Sequence, residues 1–476
     1  MAQAYVVACW NCLGEFDAAA AVWCSDEPKT PTKVCPFCLR CFCSASSEYK
    51  ERFWSEAPPG LAAERDAVAR ASRPSTEPAR PEAGGTPYWE QSSPDGVLDS
   101  ILELGARKHA SEVSLEPGPE RIEIRYGIDG FSFRVEPVPT SFAPALERAL
   151  FAMLGLDSSR RSRVQTGRAL VRLRQEEYDA VARTVPSRYG VGATVRLVNR
   201  ATFIKDFGTL GLELEDRVRL VEVIRSGRGL VLVSSPPSNG AATTCYSILS
   251  FLAHVPLDVA SVESPVHWRL DGVRQVEAEA GEQGPCVEEA LRPLLAAGAE
   301  AVVVSAVPDA ATAALLAEGA SSLLAFAQVT APTAAQAVAG VRGLGVAPDR
   351  LAAALALATG QRLVREICRE CRVPADPPPP ELLASLGLDP EDLRAVTFYK
   401  GRGCAACHTV GYCGRRAIFE TLPVSPEVRA AVEQGSPAEE IHRFALDAGM
   451  IDLRTRCLAL VASGVTTLEE LARLRL

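Results

Sequence analysis

The chain is 476 residues long, carries 50 basic against 59 acidic side chains for a formal charge of −9, and is 47% hydrophobic and 23% charged. At about 150 residues per domain this allows roughly three domains, and the balance is that of a chain with a sizeable core, which excludes global disorder and a collagen-like repeat. No cluster of Lys or Arg suits a nucleic-acid groove, and no apolar run approaches the ~20 residues of a membrane span.

Residues 1–10 have no basic start and no full apolar segment, so no signal peptide is read and a cytoplasmic setting is expected. Fifteen cysteines then demand attention. Seven lie between Cys9 and Cys43, five between Cys368 and Cys413, and Cys245, Cys286 and Cys457 stand alone. Without an export signal, CxxC spacing argues for metal over disulfides, and the three solitary cysteines read as small buried hydrophobes.

The first predicted unit is a cysteine-rich module over residues 1–50. Cys9-x-x-Cys12 and Cys35-x-x-Cys38 have zinc-ribbon spacing, and Cys24, Cys41 and Cys43 could exchange into that site or build a second. A redox-active CxxC is the rival reading, but it wants a βαβ setting that the local sequence lacks. A linker follows over residues 51–96, since the Pro, Ala, Ser, Gly and charge of residues 57–96 cannot bury enough apolar surface to order them.

An α+β domain is predicted over residues 97–203. Val97 to Lys108 has a helical apolar face, Glu120 to Arg134 alternates, and Asp129-Gly130 supplies hairpin turn chemistry. From residue 204 to 366 the pattern changes to short buried strands, Gly229 to Val233, Val259 to Val262 and Ala301 to Val304. Helices from Ala242 to His254, Ala310 to Leu316 and Ala334 to Arg342 alternate with them, as in a parallel α/β core. A four-cysteine subdomain is expected over 367–420 and a helical segment over 421–476. The fold class is thus α/β multidomain, with a zinc-ribbon-like module ahead of it.

The strongest chemical signal is Cys368-x-x-Cys371 with Cys404-x-x-Cys407. Two such knuckles can complete a closed tetrahedral zinc site, although a large loop must bulge out between them. Around these cysteines Gln361-Arg-Leu-Val-Arg-Glu-Ile-Cys368 and Gly403-Cys-Ala-Ala-Cys-His-Thr-Val-Gly-Tyr-Cys-Gly-Arg415 resemble the C-terminal signature of the type II secretion and type IV pilus assembly ATPases. Ala110-Ser-Glu-Val-Ser-Leu-Glu-Pro117, Ile128-Asp129-Gly130, Gln165-Thr-Gly-Arg168, Arg183-Thr-Val-Pro-Ser187 and Ser463 to Glu470 extend the resemblance from about Gly96 to near the end.

The resemblance implies a RecA-like P-loop core, and there the pattern departs from the family. Its "TGPTGSGKTTTLY" stands here as Ser234-Ser-Pro-Pro-Ser-Asn-Gly-Ala-Ala-Thr-Thr-Cys-Tyr246. Gly240, Thr243, Thr244 and Tyr246 survive as a vestigial nucleotide site, with Ala241 in place of the phosphate lysine and Ala242 in place of the magnesium threonine. No lysine occurs between Lys205 and Lys400. The "EDPVE" box appears as Glu263-Ser-Pro-Val-His267, and "VGEIRD" as Val304-Ser-Ala-Val-Pro-Asp309, which puts Ala306 where the water-activating glutamate would stand. The histidine segment that follows has no histidine.

A P-loop needs the lysine on the phosphates and the hydroxyl on Mg²⁺, so binding of ATP and magnesium is put in doubt. The expected function is that of an inactive homologue, a structural or regulatory subunit of a secretion or pilus machine. The alternatives are an active motor with unconventional nucleotide chemistry and a stand-alone zinc-dependent interaction protein. The family further implies a homo- or hetero-hexamer with a family ATPase, docking on inner-membrane platform proteins, no nucleic-acid partner, and a location in the cytoplasm or peripheral on the inner membrane. Arg183 and Arg196 are matched by their place in "RVSTLP" and the following strand to arginines that can reach a neighbour's nucleotide.

Overall fold

The structure, a computed structural model, describes residues 6–8, 15–18, 45–58, 61, 65, 93, 96–278, 285–391, 393 and 396–476. The N-terminal cysteines at 9, 12, 24, 35, 38, 41 and 43 lie outside the described residues. Around them, Val6–Ala8 pairs antiparallel with Glu15–Asp17. The helix Ser47–Glu56 crosses the boundary expected between residues 50 and 51. Ser46 caps it, its hydroxyl accepting from Tyr49 N–H at 3.2 Å, so capping chemistry carries the helix on into the expected linker.

From Gly96 the alternation becomes an antiparallel sheet, in the order Phe131–Arg134, Arg121–Ile128, Glu112–Pro117, Gly190–Asn199, Glu176–Ser187, Gln165–Leu173. Ile122, Ile124 and Tyr126 share the buried face, as period two requires, and pack with Val97, Leu98, Ile101 and Leu102 of the helix Val97–Arg107. Tyr126 keeps its hydroxyl satisfied there by donating to Ile101 O at 2.8 Å. Asp129, at φ +49, and Gly130, at φ +82, make the expected turn.

The second sheet is built from Val273–Glu277, Val259–Glu263, Ala301–Val304, Leu324–Thr330, Gly229–Ser235, Leu355–Ile367 and Tyr412–Pro423, in that order. The first six run parallel, and Tyr412–Pro423 joins antiparallel. Gly229–Ser235 is buried throughout, as a central parallel strand with helices on both faces must be. Helices Ala241–Leu252, Val287–Ala296, Ala310–Gly319 and Ala334–Gly343 cover the faces.

Two expectations change here. The long strands Leu355–Ile367 and Tyr412–Pro423 were not legible as strands, and the boundaries at 366 and 420 cut into them. The cysteine region is therefore an excursion between two paired strands of this sheet. The C-terminal helices Pro426–Glu433, Ala438–Asp447, Leu453–Ala462 and Leu468–Leu474 follow, as the helical pattern predicts.

Glu420, 1% exposed on the last strand, joins these layers. Its carboxylate accepts from Ala334 N–H at 2.7 Å and Leu453 N–H at 3.3 Å, the starts of two helices. Burial pushes this carboxyl above its usual range despite those two hydrogen bonds. A raised folded value means that stability falls as pH rises from the ordinary carboxylate value to the folded one. Glu420→Ala is expected to remove that dependence, to orphan two buried N–H groups and to cost about 2–4 kcal/mol. Urea unfolding of both proteins across that pH window checks it.

Candidate functional site

The Gly229–Ser235 strand, the loop Pro236–Gly240 and the helix Ala241–Leu252 reproduce a strand–loop–helix phosphate cradle in shape. Ser238, at φ +63, holds the left-handed turn that a glycine would take, and Gly240 does so at φ +87. A Cβ on Gly240 would stand 2.8 Å from Gln361 Nε2.

The groups lining this cradle bond to one another. Gln361 Nε2 donates to Asn239 O at 2.8 Å, while its Oε1 accepts from the Thr244 hydroxyl at 2.7 Å. Asn239 Oδ1 accepts from Leu363 N–H at 3.0 Å, stapling the loop to the Leu355–Ile367 strand. Pro236 and Pro237 bring no N–H to the loop. Ala241 is buried and Ala242 half-buried, and neither carries a group for a phosphate or a cation. Thr243 lends its carbonyl to the Ser247 hydroxyl at 2.9 Å.

Below the cradle, Glu263 is 2% exposed at the end of its strand. It accepts from the Tyr246 hydroxyl in a short hydrogen bond, from Ser261 Oγ at 2.5 Å and from Gln275 Nε2 at 2.9 Å. A cavity of about 90 Å³ lies beside it, lined among others by Ala242, Cys245, His267, Ser305 and Gln328. Burial pushes the Cys245 thiol up to about 12, so it stays a neutral thiol, as expected of a solitary buried cysteine. Cys457 is buried as well, but Cys286 is exposed and stands as a helix N-cap, correcting the reading of all three as core hydrophobes. Ala306 lies exposed past the end of its strand, and Asp309 is occupied capping the next helix through Thr312 N–H at 2.8 Å.

The two arginines separate. Arg196 Nη2 donates to Ser238 Oγ at 3.1 Å, within its own chain, so this guanidinium stands at the lip of its own cradle. Arg183 is exposed on the neighbouring strand, opposite Thr194. Counted back from Pro186, the arginine of "RVSTLP" falls on Val181, so Arg183 does not hold that place. Val181 pairs directly across from Arg196.

The cysteine excursion brings its four residues together. Cys368 and Cys371 follow the end of the Leu355–Ile367 strand, while Cys404 caps and Cys407 ends the one-turn helix Ala405–Cys407. Their sulfurs all lie within 4.8 Å of one another, with Cys368–Cys404 and Cys371–Cys407 at 3.8 Å and Cys404–Cys407 at 3.7 Å. Four thiolates about 2.3 Å from a tetrahedral zinc lie roughly 3.8 Å apart, so this donor set fits the ion. Backbone N–H groups of Cys404 and Gly411 point at Cys407 Sγ, at 3.2 and 3.3 Å, as thiolate-supporting donors. The Gly401–Gly411 crossing leaves no room for a Cβ on Gly401, which explains the glycines around the knuckles. Cys413 is exposed and His408 packs edge-on against Phe133, so neither joins the cluster.

The sequence model of the type II/IV secretion system protein family matches residues 91–473. The type IV pilus assembly ATPase PilB of Thermus thermophilus is 30% identical over 382 residues, which cover 80% of this chain and 43% of that protein. PilB of Myxococcus xanthus is 28% identical over 79% of this chain and 66% of its own length. The type II secretion system protein HxcR of Pseudomonas aeruginosa is 30% identical over 79% of this chain and 76% of its own. The chain thus spans less than two thirds of either PilB protein.

Among solved structures, the pilus retraction motor PilT with bound ADP aligns at TM-score 0.55 and 17% identity, covering 79% of this chain and 96% of that one. The ATPase DotB of Legionella pneumophila aligns at 0.57 and 15%, covering 80% and 95%. At these identities the structural likeness is one of fold. Among the described residues no helix is long and apolar enough to cross a membrane. The match over most of the chain, the shared motifs in order and the shared fold lead to one conclusion: this chain belongs to the type II/IV secretion system protein family.

Proposed function

We propose that this chain is a catalytically inactive family member that serves as a structural or regulatory subunit of a protein secretion or pilus assembly machine. One observation carries the reading. The cradle keeps its shape, but its lining groups are spent on one another through Gln361, Asn239 and Thr244, while Ala241, Ala242 and Ala306 supply no lysine, hydroxyl or carboxylate. These residues do not fit a magnesium–nucleotide complex, whose phosphates need a cation and free N–H donors.

The relatives named for pilus assembly and type II secretion support the setting: a homo- or hetero-hexamer with a family ATPase, on inner-membrane platform proteins, at the cytoplasmic face. The unit division follows the same reading, with an N-terminal α+β unit over 97–203 and a degenerate core from 204 whose sheet runs on through Leu355–Ile367 and Tyr412–Pro423. Cys368, Cys371, Cys404 and Cys407 hold one zinc ion, whose part is to cross-link the excursion, and the module of Cys9, Cys12, Cys35 and Cys38 holds at least one more.

A second reading, an active ATPase with an unconventional site, is favoured by one feature, the Arg196 guanidinium beside Ser238. Titration of the purified chain with a fluorescent ATP analogue separates the two. The first expects no saturable binding. The second expects magnesium-dependent binding that Arg196→Ala weakens at least about tenfold, the loss of a charge-assisted phosphate contact.

A further inference from the structure

His267 ends the box that begins at Glu263, at the place where the family pattern has glutamate. Its Nδ1 lies 3.1 Å from Asp179 Oδ2, and Asp179 belongs to the Glu176–Ser187 strand of the other sheet. Asp179 is 4% exposed and is also gripped by Arg168, through Nε to Oδ1 at 2.6 Å and Nη2 to Oδ2 at 2.8 Å. Burial opposes ionisation of this carboxyl, but the hydrogen bonds from His267 and Arg168 outweigh it and hold the group below its usual range. A glutamate at position 267 would set a second carboxylate against a buried one, an arrangement that disfavours both charges.

The adjoining residue repeats the contact, since the Arg200 guanidinium lies 4.2 Å from the centre of the Trp268 ring. On the core side one hydroxyl holds the same segment. Tyr246 donates to Glu263 and accepts from His267 N–H at 2.7 Å and Trp268 N–H at 3.1 Å. Phe203, from the end of the first sheet's domain, packs against both the Tyr246 and His267 rings.

We propose that the segment from Glu263 to Trp268 is a nucleotide-independent latch, which Tyr246 anchors to the core and which holds the N-terminal sheet through His267 on Asp179 and Trp268 under Arg200. This rests on the inactive reading above and gives it a consequence. An acidic segment that handles nucleotide must answer to the ligand, whereas here its remaining acid is satisfied by Tyr246, Ser261 and Gln275 and its last residue has become a partner for Asp179. The chain would then enter a ring as a subunit of fixed domain pose.

Hydrogen exchange of the full chain tests it, reading the peptide that contains the His267 and Trp268 amides. The wild type should exchange there at one rate with and without Mg-ATP. Tyr246→Phe, which deletes the accepting hydroxyl without changing charge, and His267→Glu, which restores the family's acid, should each speed that peptide by about tenfold or more. His267→Gln, which keeps a donor for Asp179, should stay near wild type. Exchange unchanged in both Tyr246→Phe and His267→Glu overturns the latch, and a wild-type rate that shifts with Mg-ATP overturns its independence of nucleotide. Phosphate release with unchanged exchange would remove the inactive reading while supporting the latch.

Discussion

Purified protein supplied with ATP and magnesium is expected to release no phosphate above a protein-free blank. The losses at Ala241, Ala242 and Ala306 touch three separate roles: charge on the phosphates, a ligand for the metal, and orientation of water. Removing one preorganised electrostatic contact typically costs about 10²–10³ in rate, and groups that act as a unit on one metal and phosphate do not add independently, so turnover should fall by at least about 10³. Ala241→Lys alone should not rescue it. The new ammonium would enter a cradle whose Thr244 and Asn239 remain engaged with Gln361, with no hydroxyl at position 242 to hold magnesium. EDTA-sensitive phosphate release by the wild type would contradict this.

Zinc removal is the other change expected to have a large effect. Elemental analysis should find at least two zinc ions per chain, and Cys371→Ser should lose one of them. In small metal domains a structural zinc contributes about 10–16 kcal/mol of apparent free energy. Leu383 and Leu386 anchor the middle of the excursion on Leu453, Val461 and Leu468, but at the knuckles themselves Cys368, Cys371 and Cys407 cluster with Cys404 and Val410 alone. Burial pushes the Cys368 and Cys371 thiols up, so without an ion these are neutral sulfurs packed together.

The apo form should therefore open locally at the second knuckle, with protease cutting between residues 402 and 411 at least about tenfold faster than in the zinc-loaded chain. The damage should spread. Asp129 on the first sheet accepts from Gly414 N–H at 2.7 Å, the Phe131 and Tyr412 rings lie 6.0 Å apart, and the Arg365 guanidinium rests against both at 4.3 and 4.8 Å, so both domains meet beside the knuckles. Zinc content unchanged by Cys371→Ser, or equal cleavage with and without chelator, would count against the site.

Local patterns carried much of this from the sequence alone. The helix at Val97, the alternation through Ile122, Ile124 and Tyr126, the Asp129-Gly130 turn and the buried strand at Gly229 each follow from periodicity or turn chemistry within a few residues. The four cysteines were legible because two short knuckles fix most of a tetrahedral donor set in advance. The strands Leu355–Ile367 and Tyr412–Pro423 were missed for a physical reason. They mix Arg, Glu and Gln with apolar residues because both lie where domains and excursions pack, so partners in the fold, and not an alternating pattern, decide which positions are buried. Gln361 at 2% and Arg362 at 6% exposure show this directly.

The sequence by itself determined the family, the donor types at the cysteine cluster and the alanines at positions 241, 242 and 306. Those are matters of residue identity and short spacing, which survive any arrangement of the chain. Only the tertiary structure decided what the remaining groups do instead. Gln361 reaches Thr244 across 117 positions of sequence, and His267 reaches Asp179 across 88. Arg196 reaches Ser238 of its own chain across 42. The first contact arises from strands paired within the parallel sheet, and the other two from the packing of the two sheet domains against each other. Their energetics depend on burial and hydrogen-bond partners that no local pattern encodes.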